Sequence, residues 1–134
     1  MSMFSIFNIS ASAISAQSQR LNVVASNLAN ADAVAGPDGQ GYKGRQLMFE
    51  TTPMGNDGSL GVRVTGVKES NDPMKKVHNP SHPSADTDGY VTQCYVNPVE
   101  EMVNMISASR SYQNNVEVMN TAKTLLLKTL QIGQ

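Results

Sequence analysis

At 134 residues, with 40% hydrophobic side chains, a formal charge of -1 and one cysteine, the chain has one domain's worth of material. Its Lys and Arg are scattered, with only Lys75 and Lys76 adjacent, which excludes the concentrated basic patch of a nucleic-acid-binding surface. No apolar run approaches the length needed to span a bilayer, and the opening Met1-Ser2-Met3-Phe4 lacks the basic region and unbroken apolar stretch of a cleaved signal peptide, so any exit from the cytoplasm is expected to follow another route.

The first segment carries a heptad pattern. Phe7, Ile14, Leu21 and Leu28 recur every seven residues, and Ala11, Ser18 and Ala25 follow the first three at a spacing of four, the seam of a coiled-coil helix. The spacing predicts a helix from Met3 to Asn30, about 40 Å long at 1.5 Å per residue. Ile9, Ala13, Ala16 and Val23 fall on the opposite side, so the helix is apolar on two faces, more than one partner helix can cover. Arg20 is its only charged side chain, and Ser, Asn and Gln fill the remaining polar positions. Such groups are buried at modest cost when hydrogen-bonded, whereas isolated charges are not. The pattern implies a helix destined for the inside of an assembly.

The centre is rich in turns. Gly36-Pro37-Asp38-Gly39-Gln40-Gly41 ends regular structure, and Tyr42 to Glu50 and Leu60 to Val67 then read as short strands, the second alternating at Leu60, Val62 and Val64, joined by a hairpin turn at Asn56-Asp57-Gly58. That turn is expected to absorb changes such as Asp57→Asn. From Asp72 to Asp88, with Pro73, Pro80 and Pro83, the chain is expected to be extended and irregular, and Tyr90 to Val96 is a third candidate strand.

A second helix starts at Asn97, a good N-cap followed by Pro98 and by Glu100 at the third helical position, and runs nearly to Ile132. Met102, Met105, Tyr112, Val116, Met119, Leu126 and Leu130 share a three-and-four register broken by Ser109 and Lys123. Val118, Ala122, Leu125 and Ile132 face away from it. The expected fold is mainly α with a small β-rich centre: long N- and C-terminal helices pair as a coiled coil (residues 1–31 and 97–134) around a central loop and short β-hairpin region (residues 32–96). So divided, the chain keeps little material for a closed core, and part of its stability must come from partners.

Chemical readings are weak. His78 and His82 have the spacing of two ligands on one helical face, but Pro80 and Pro83 forbid a helix there, so no metal is expected. Cys94 has no second cysteine to pair with and no histidine beside it in sequence, and is read as a small apolar strand residue. No Gly-x-Ser-x-Gly elbow or phosphate-binding Gly-Lys-Ser/Thr occurs, so no catalytic or cofactor-binding residue is assigned. The methionines at helical spacing are read as packing residues.

Three stretches carry a family pattern: Ser26-Asn27-Leu28-Ala29-Asn30-Ala31, the central HPSADTDGYV of His82 to Val91, and EMVNMISASRSYQNNVEVMNTAKTLLLKTL from Glu101 to Leu130. Together they resemble the bacterial flagellar basal-body rod proteins, and among them the members that build the proximal rod. The resemblance implies a subunit exported uncleaved through the flagellar type III apparatus, which polymerises with itself and other rod proteins across the periplasm into a drive shaft. It implies terminal helices in an inner coiled-coil layer, a β-rich centre outside it, and neighbours among the other proximal-rod subunits, the rod-to-ring adaptor and the distal rod. Asn27, Leu28, Asn30, Arg110, Tyr112 and Asn114 would then lie in packing surfaces between subunits, beside the heptad positions Phe7, Ile14, Leu21, Met105, Val116, Met119, Leu126 and Leu130. Another rod component or a soluble coiled-coil adaptor are the alternatives. Thr92 to Pro98 departs from the family's usual lead-in to the last helix, which leaves the path of Cys94 to Pro98 open.

Overall fold

Hydroxyl and amide side chains start both helices. Ser2 caps the first by accepting from the Ser5 amide at 3.3 Å, and Asn97 caps the second by accepting from the amides of Val99 at 3.1 Å and Glu100 at 3.4 Å. In the computed structural model, which describes residues 2–133, these helices are α1 (Met3–Ala29) and α2 (Pro98–Ile132). Between them lie β1 (Arg45–Pro53), β2 (Leu60–Glu69), β3 (Lys75–His78) and β4 (Tyr90–Gln93).

The helices pack antiparallel. At one end the Asn27 amide reaches Glu101, and at the other Met3 and Ile6 share a groove with Val118 and Leu125. Phe7, Ile14, Leu21 and Leu28 do line the seam half-buried, but the residues between them are Ser10, Gln17 and Val24, while Ala11, Ser18 and Ala25 are exposed. The same displacement by one residue occurs in α2. Met105, Met119 and Leu126 keep their seam positions, with Glu101, Ala108, Asn115 and Ala122 interposed. Met102 and Leu130, expected in that row, are instead more than half exposed, and the apparent breaks at Ser109 and Lys123 disappear.

Small side chains take several of the displaced positions. Ser10, Ala108 and Ala122 are all but completely buried, and a small side chain is what lets helices come near each other. A count of apolar residues gives no weight to a serine or a glutamine at such a position. The Gln17 side-chain oxygen is buried there with no hydrogen-bond partner among the described residues.

The second face of α1 is covered by the chain's own hairpin. β1 and β2 pair antiparallel from Arg45↔Glu69 to Pro53↔Leu60, with a register shift between Met48 and Phe49, and their turn closes through Gly58 at φ 76°. The sheet packs on α1. Gly61 marks the closest contact, where an added Cβ would fall 2.7 Å from the Ser12 hydroxyl and from Met54.

A second hairpin was not legible in the sequence. β3 pairs with β4 from Lys75↔Gln93 to His78↔Tyr90, inside the stretch expected to be irregular. Four residues with prolines on both sides carry too short an alternation to stand out without a partner. β4 ends at Gln93, short of the expected Val96. Beyond it the Cys94 amide donates to the Ala33 carbonyl and the Ala35 amide to Thr92, both at 2.9 Å, so the segment after α1 lies alongside and fixes the lead-in to α2. Val91 and Cys94 are buried beneath.

The displaced register makes a direct prediction. Ala108→Leu overpacks the seam and destabilises the chain by roughly 1–3 kcal/mol, whereas Ala11→Leu, at an exposed position, is close to neutral. Urea denaturation of the two purified variants checks this; equal losses would contradict the observed register.

Candidate assembly interface

One amide holds three segments together. Asn27 is 2% exposed in the last turns of α1, and its side chain makes four hydrogen bonds. Its Nδ2 donates to the Arg45 carbonyl at 2.8 Å and to Glu101 Oε2 at 3.1 Å. Its Oδ1 accepts from the Tyr42 hydroxyl at 2.7 Å and the Arg45 amide at 3.0 Å. The helix, the start of β1 and the start of α2 thus meet at one side chain whose donors and acceptor are all used. Burial raises the Tyr42 pKa against the opposing effect of the Arg45 guanidinium, which lies 5.7 Å from the ring centre. Asn27, expected between subunits, has both donors and its acceptor engaged within one.

Serines extend the attachment toward the other end of α1. The Ser12 hydroxyl accepts from the Val62 amide at 3.1 Å and donates to the Ile9 carbonyl at 2.6 Å. Ser5 donates to Asp57 Oδ2 at 2.9 Å, and Ser59 donates to Asp57 Oδ1 at 2.7 Å. Hydrogen bonds from the Ser59 hydroxyl first, then the Ser5 hydroxyl, lower the Asp57 pKa from 3.8 to about 2. The turn expected to absorb Asp57→Asn is an anchor onto the first turns of α1. The uncharged polar residues of α1 that suggested burial in an assembly are in part the fastenings of its own hairpin.

The remaining site candidates divide by surface. Phe7, Ile14, Leu21, Leu28, Met105, Met119 and Leu126 lie half-buried on or beside the intramolecular seam, with Val116 and Tyr112 toward its edge. Asn30 caps the end of α1, its amide donating to the Ser26 carbonyl at 2.8 Å. Arg110, Asn114 and Leu130 are exposed. Sequence reasoning missed the outer face at the start of α2, where Val99, Val103 and Ile106 stand open to solvent. A further apolar groove of about 460 Å³ opens where Met3 and Ile6 meet Val118, Ala122 and Leu125.

Residues considered for chemistry have local partners. His78 meets Tyr90 edge to face at 5.1 Å, and His82 Nδ1 accepts from the Ser84 amide at 3.0 Å. Burial pushes the Cys94 thiol pKa up, away from the reactive thiolate. Among the described residues no group of three or more His, Cys, Asp or Glu side chains is placed to hold a metal ion, and no helix is long and apolar enough to cross a membrane.

The helical pair is locked to its own hairpin, and apolar side chains stand bare along the longer helix, the surface expected of a chain that packs against others. Residues 7–37 match the family described as flagella basal body rod protein, and residues 87–132 match the flagellar basal body rod FlgEFG protein C-terminal family. The chain is 53% identical to the flagellar basal-body rod protein FlgC of Salmonella typhimurium, 54% to that of Escherichia coli O6:H1 and 48% to that of Buchnera aphidicola subsp. Schizaphis graminum. Each match spans the full length of both proteins. The chain belongs to the flagellar basal-body rod protein family.

Two predictions test the attachment. Asn27→Leu strands the Tyr42 hydroxyl, the Arg45 peptide and the Glu101 carboxylate, and is expected to cost roughly 2–4 kcal/mol. Glu101→Gln, which keeps an acceptor, costs less; urea denaturation giving equal midpoints for Asn27→Leu and the parent chain would contradict the network.

The second concerns pH. Because the folded-state pKa of Asp57 is depressed, its contribution to folding is complete above 3.8 and is lost as pH falls through about 2. An NMR titration of the folded chain should place the Asp57 midpoint near 2, and Ser59→Ala should move it upward. A midpoint of 3.8 in the parent chain would show that the anchor is not formed.

Proposed function

We propose that the chain is a structural subunit of the flagellar proximal rod, of the FlgC type, polymerising helically into the drive shaft that carries motor torque for bacterial motility. The full-length similarity to FlgC proteins supports this reading, and the observation that carries it physically is the outer face of α2. Val103 and Ile106 are 60% and 56% exposed there, on a helix of 35 residues whose inner face is already occupied by α1. Apolar side chains left open along a rigid helix are suited to packing against neighbours.

In this reading residues 1–31 and 97–134 form the inner packed layer and residues 32–96 an outer region held to it by Asn27 and the serines. Arg110, Tyr112, Asn114 and Leu130 contact neighbouring subunits, while Phe7, Ile14, Leu21, Leu28, Met105, Val116, Met119 and Leu126 set the internal seam that keeps the helix pair stiff. Torque passes through many repeated packing contacts, and no bond is made or broken, so the chain is not an enzyme and needs no cofactor. Its partners are itself and other rod proteins, the rod-to-ring adaptor and the distal rod. It reaches the periplasm uncleaved through the flagellar type III export apparatus and binds no nucleic acid.

Ile106→Asp tests this. The side chain is exposed, so the substitution changes the stability of the free chain by no more than about 0.5 kcal/mol, yet every subunit repeats the buried charge on assembly. Complementing a strain that lacks the gene should give cells that make the protein but build few or no hooks by electron microscopy, while Asn56→Ser in the exposed turn supports normal numbers. Normal hook counts with Ile106→Asp would contradict the proposal.

A further inference from the structure

Among the described residues, positive φ occurs only at Gly39, Gly58 and Gly89, and each of these glycines follows an aspartate. Asp-Gly is the dipeptide in which the next amide nitrogen reaches an aspartyl carboxyl most easily, because glycine has no side chain to bar the approach. The chain therefore carries the same reactive pair in three turns.

The three aspartates are held differently. Asp38 Oδ1 accepts from the Gln40 amide at 3.1 Å, and the Asp88 amide donates to Asp86 Oδ1 at 3.0 Å, so the bonds recorded at these two stay within their own turns. Asp57 is fastened on both oxygens. Its Oδ1 accepts from the Ser59 hydroxyl at 2.7 Å and the Ser59 amide at 3.2 Å, while its Oδ2 accepts from the Ser5 hydroxyl at 2.9 Å, across 52 residues of chain. That last bond exists only while the hairpin tip sits on α1.

We propose that Asp57-Gly58 is a dormant isoaspartate site: docking of the hairpin tip on α1 through Ser5 keeps the pair unreactive, and a chain whose hairpin stays undocked converts it. In the reaction the Gly58 amide nitrogen attacks Asp57 Cγ. An N–Cγ bond forms and a Cγ–O bond breaks, and the hydroxyl of the protonated carboxyl leaves with the amide proton as water. A second water then opens the cyclic imide. Cleavage between the nitrogen and the original peptide carbonyl leaves the chain running through Cγ, as isoaspartate, whereas cleavage between the nitrogen and Cγ restores aspartate. The docked turn opposes the first step twice. Cγ must turn toward the Gly58 nitrogen, which breaks the bonds on both oxygens, and those same bonds draw the Asp57 pKa down to about 2, so that little protonated carboxyl is present at neutral pH. Conversion is also one-way for the anchor. The longer backbone opens the turn that the Met54 amide closes on the Ser59 carbonyl at 2.9 Å, and it moves the carboxylate away from Ser5.

The test follows isoaspartate at each Asp-Gly pair of the purified full chain incubated at neutral pH, using peptide mapping with electron-transfer mass spectrometry, which separates the two isomers. In the parent chain Asp57 should convert several-fold more slowly than in the same chain held in guanidinium chloride. Ser5→Ala should raise the folded-state rate at Asp57 several-fold and leave Asp38 and Asp88 unchanged, while Ser5→Thr, which keeps the hydroxyl, should stay near the parent. Equal rates at Asp57 in the parent and in Ser5→Ala, both folded by circular dichroism, would overturn the proposal, as would equal rates in the folded and denatured parent. If Ser5→Ala does not fold, Ser59→Ala supplies the comparison, and an unchanged rate at Asp57 there would overturn it equally.

Discussion

The structure depends on covering α1 from two sides at once. Its seam needs a second helix and its opposite face needs something else, and the chain supplies both: α2 on one side and the β1–β2 hairpin on the other. Asn27 stands where the two coverings meet and bonds to each. A buried amide with every donor and acceptor used specifies a single arrangement, because any slip of the hairpin or of α2 leaves polar groups stranded in a dry site. The hydroxyls of Ser5 and Ser12 continue this attachment along the helix, so the hairpin is held at its tip, its middle and its base.

That arrangement divides the molecule by task. α1 is largely occupied within the subunit, while the outer face of α2 and its last turns carry apolar side chains that the chain does not cover. Ala108, Ala122 and Ser10, almost fully buried, are packed with little room to spare, which resists sliding of one helix on the other. Stiffness of the pair and stickiness of its exterior are the two properties a torque-bearing polymer needs from each subunit.

Much of this was legible in the sequence, for reasons that particular residues make plain. The caps at Asn97 and Pro98 and the seven-residue recurrence of Phe7, Ile14, Leu21 and Leu28 are local signals, and the helices lie where those signals put them. The interposed seam row was misplaced by one residue in both helices, since Ser10, Gln17 and Asn115 carry no hydrophobic signal. β3 was missed because it is visible only through β4. Asn27 is noticed through its family motif, whereas its intramolecular role is not legible, because the partners that use its amide, Tyr42, Arg45 and Glu101, converge only in three dimensions. Ser5, Ser10 and Ser12 are buried or half-buried while Ser15, Ser18 and Ser26 are exposed, and the sequence does not distinguish the two groups because the hairpin that meets the first is placed only by the fold.

The subunit covers α1 by itself and leaves the outer face of α2 open. Amide hydrogen exchange, compared between the isolated chain and the chain within purified basal bodies, tests it most directly. The amides of Val62 and Arg45, bonded to Ser12 and Asn27, should be protected in both states, while amides from Leu127 to Ile132 should gain protection only in the basal body. Val62 and Arg45 protected only after assembly, or full protection out to Ile132 in the isolated monomer, would contradict it.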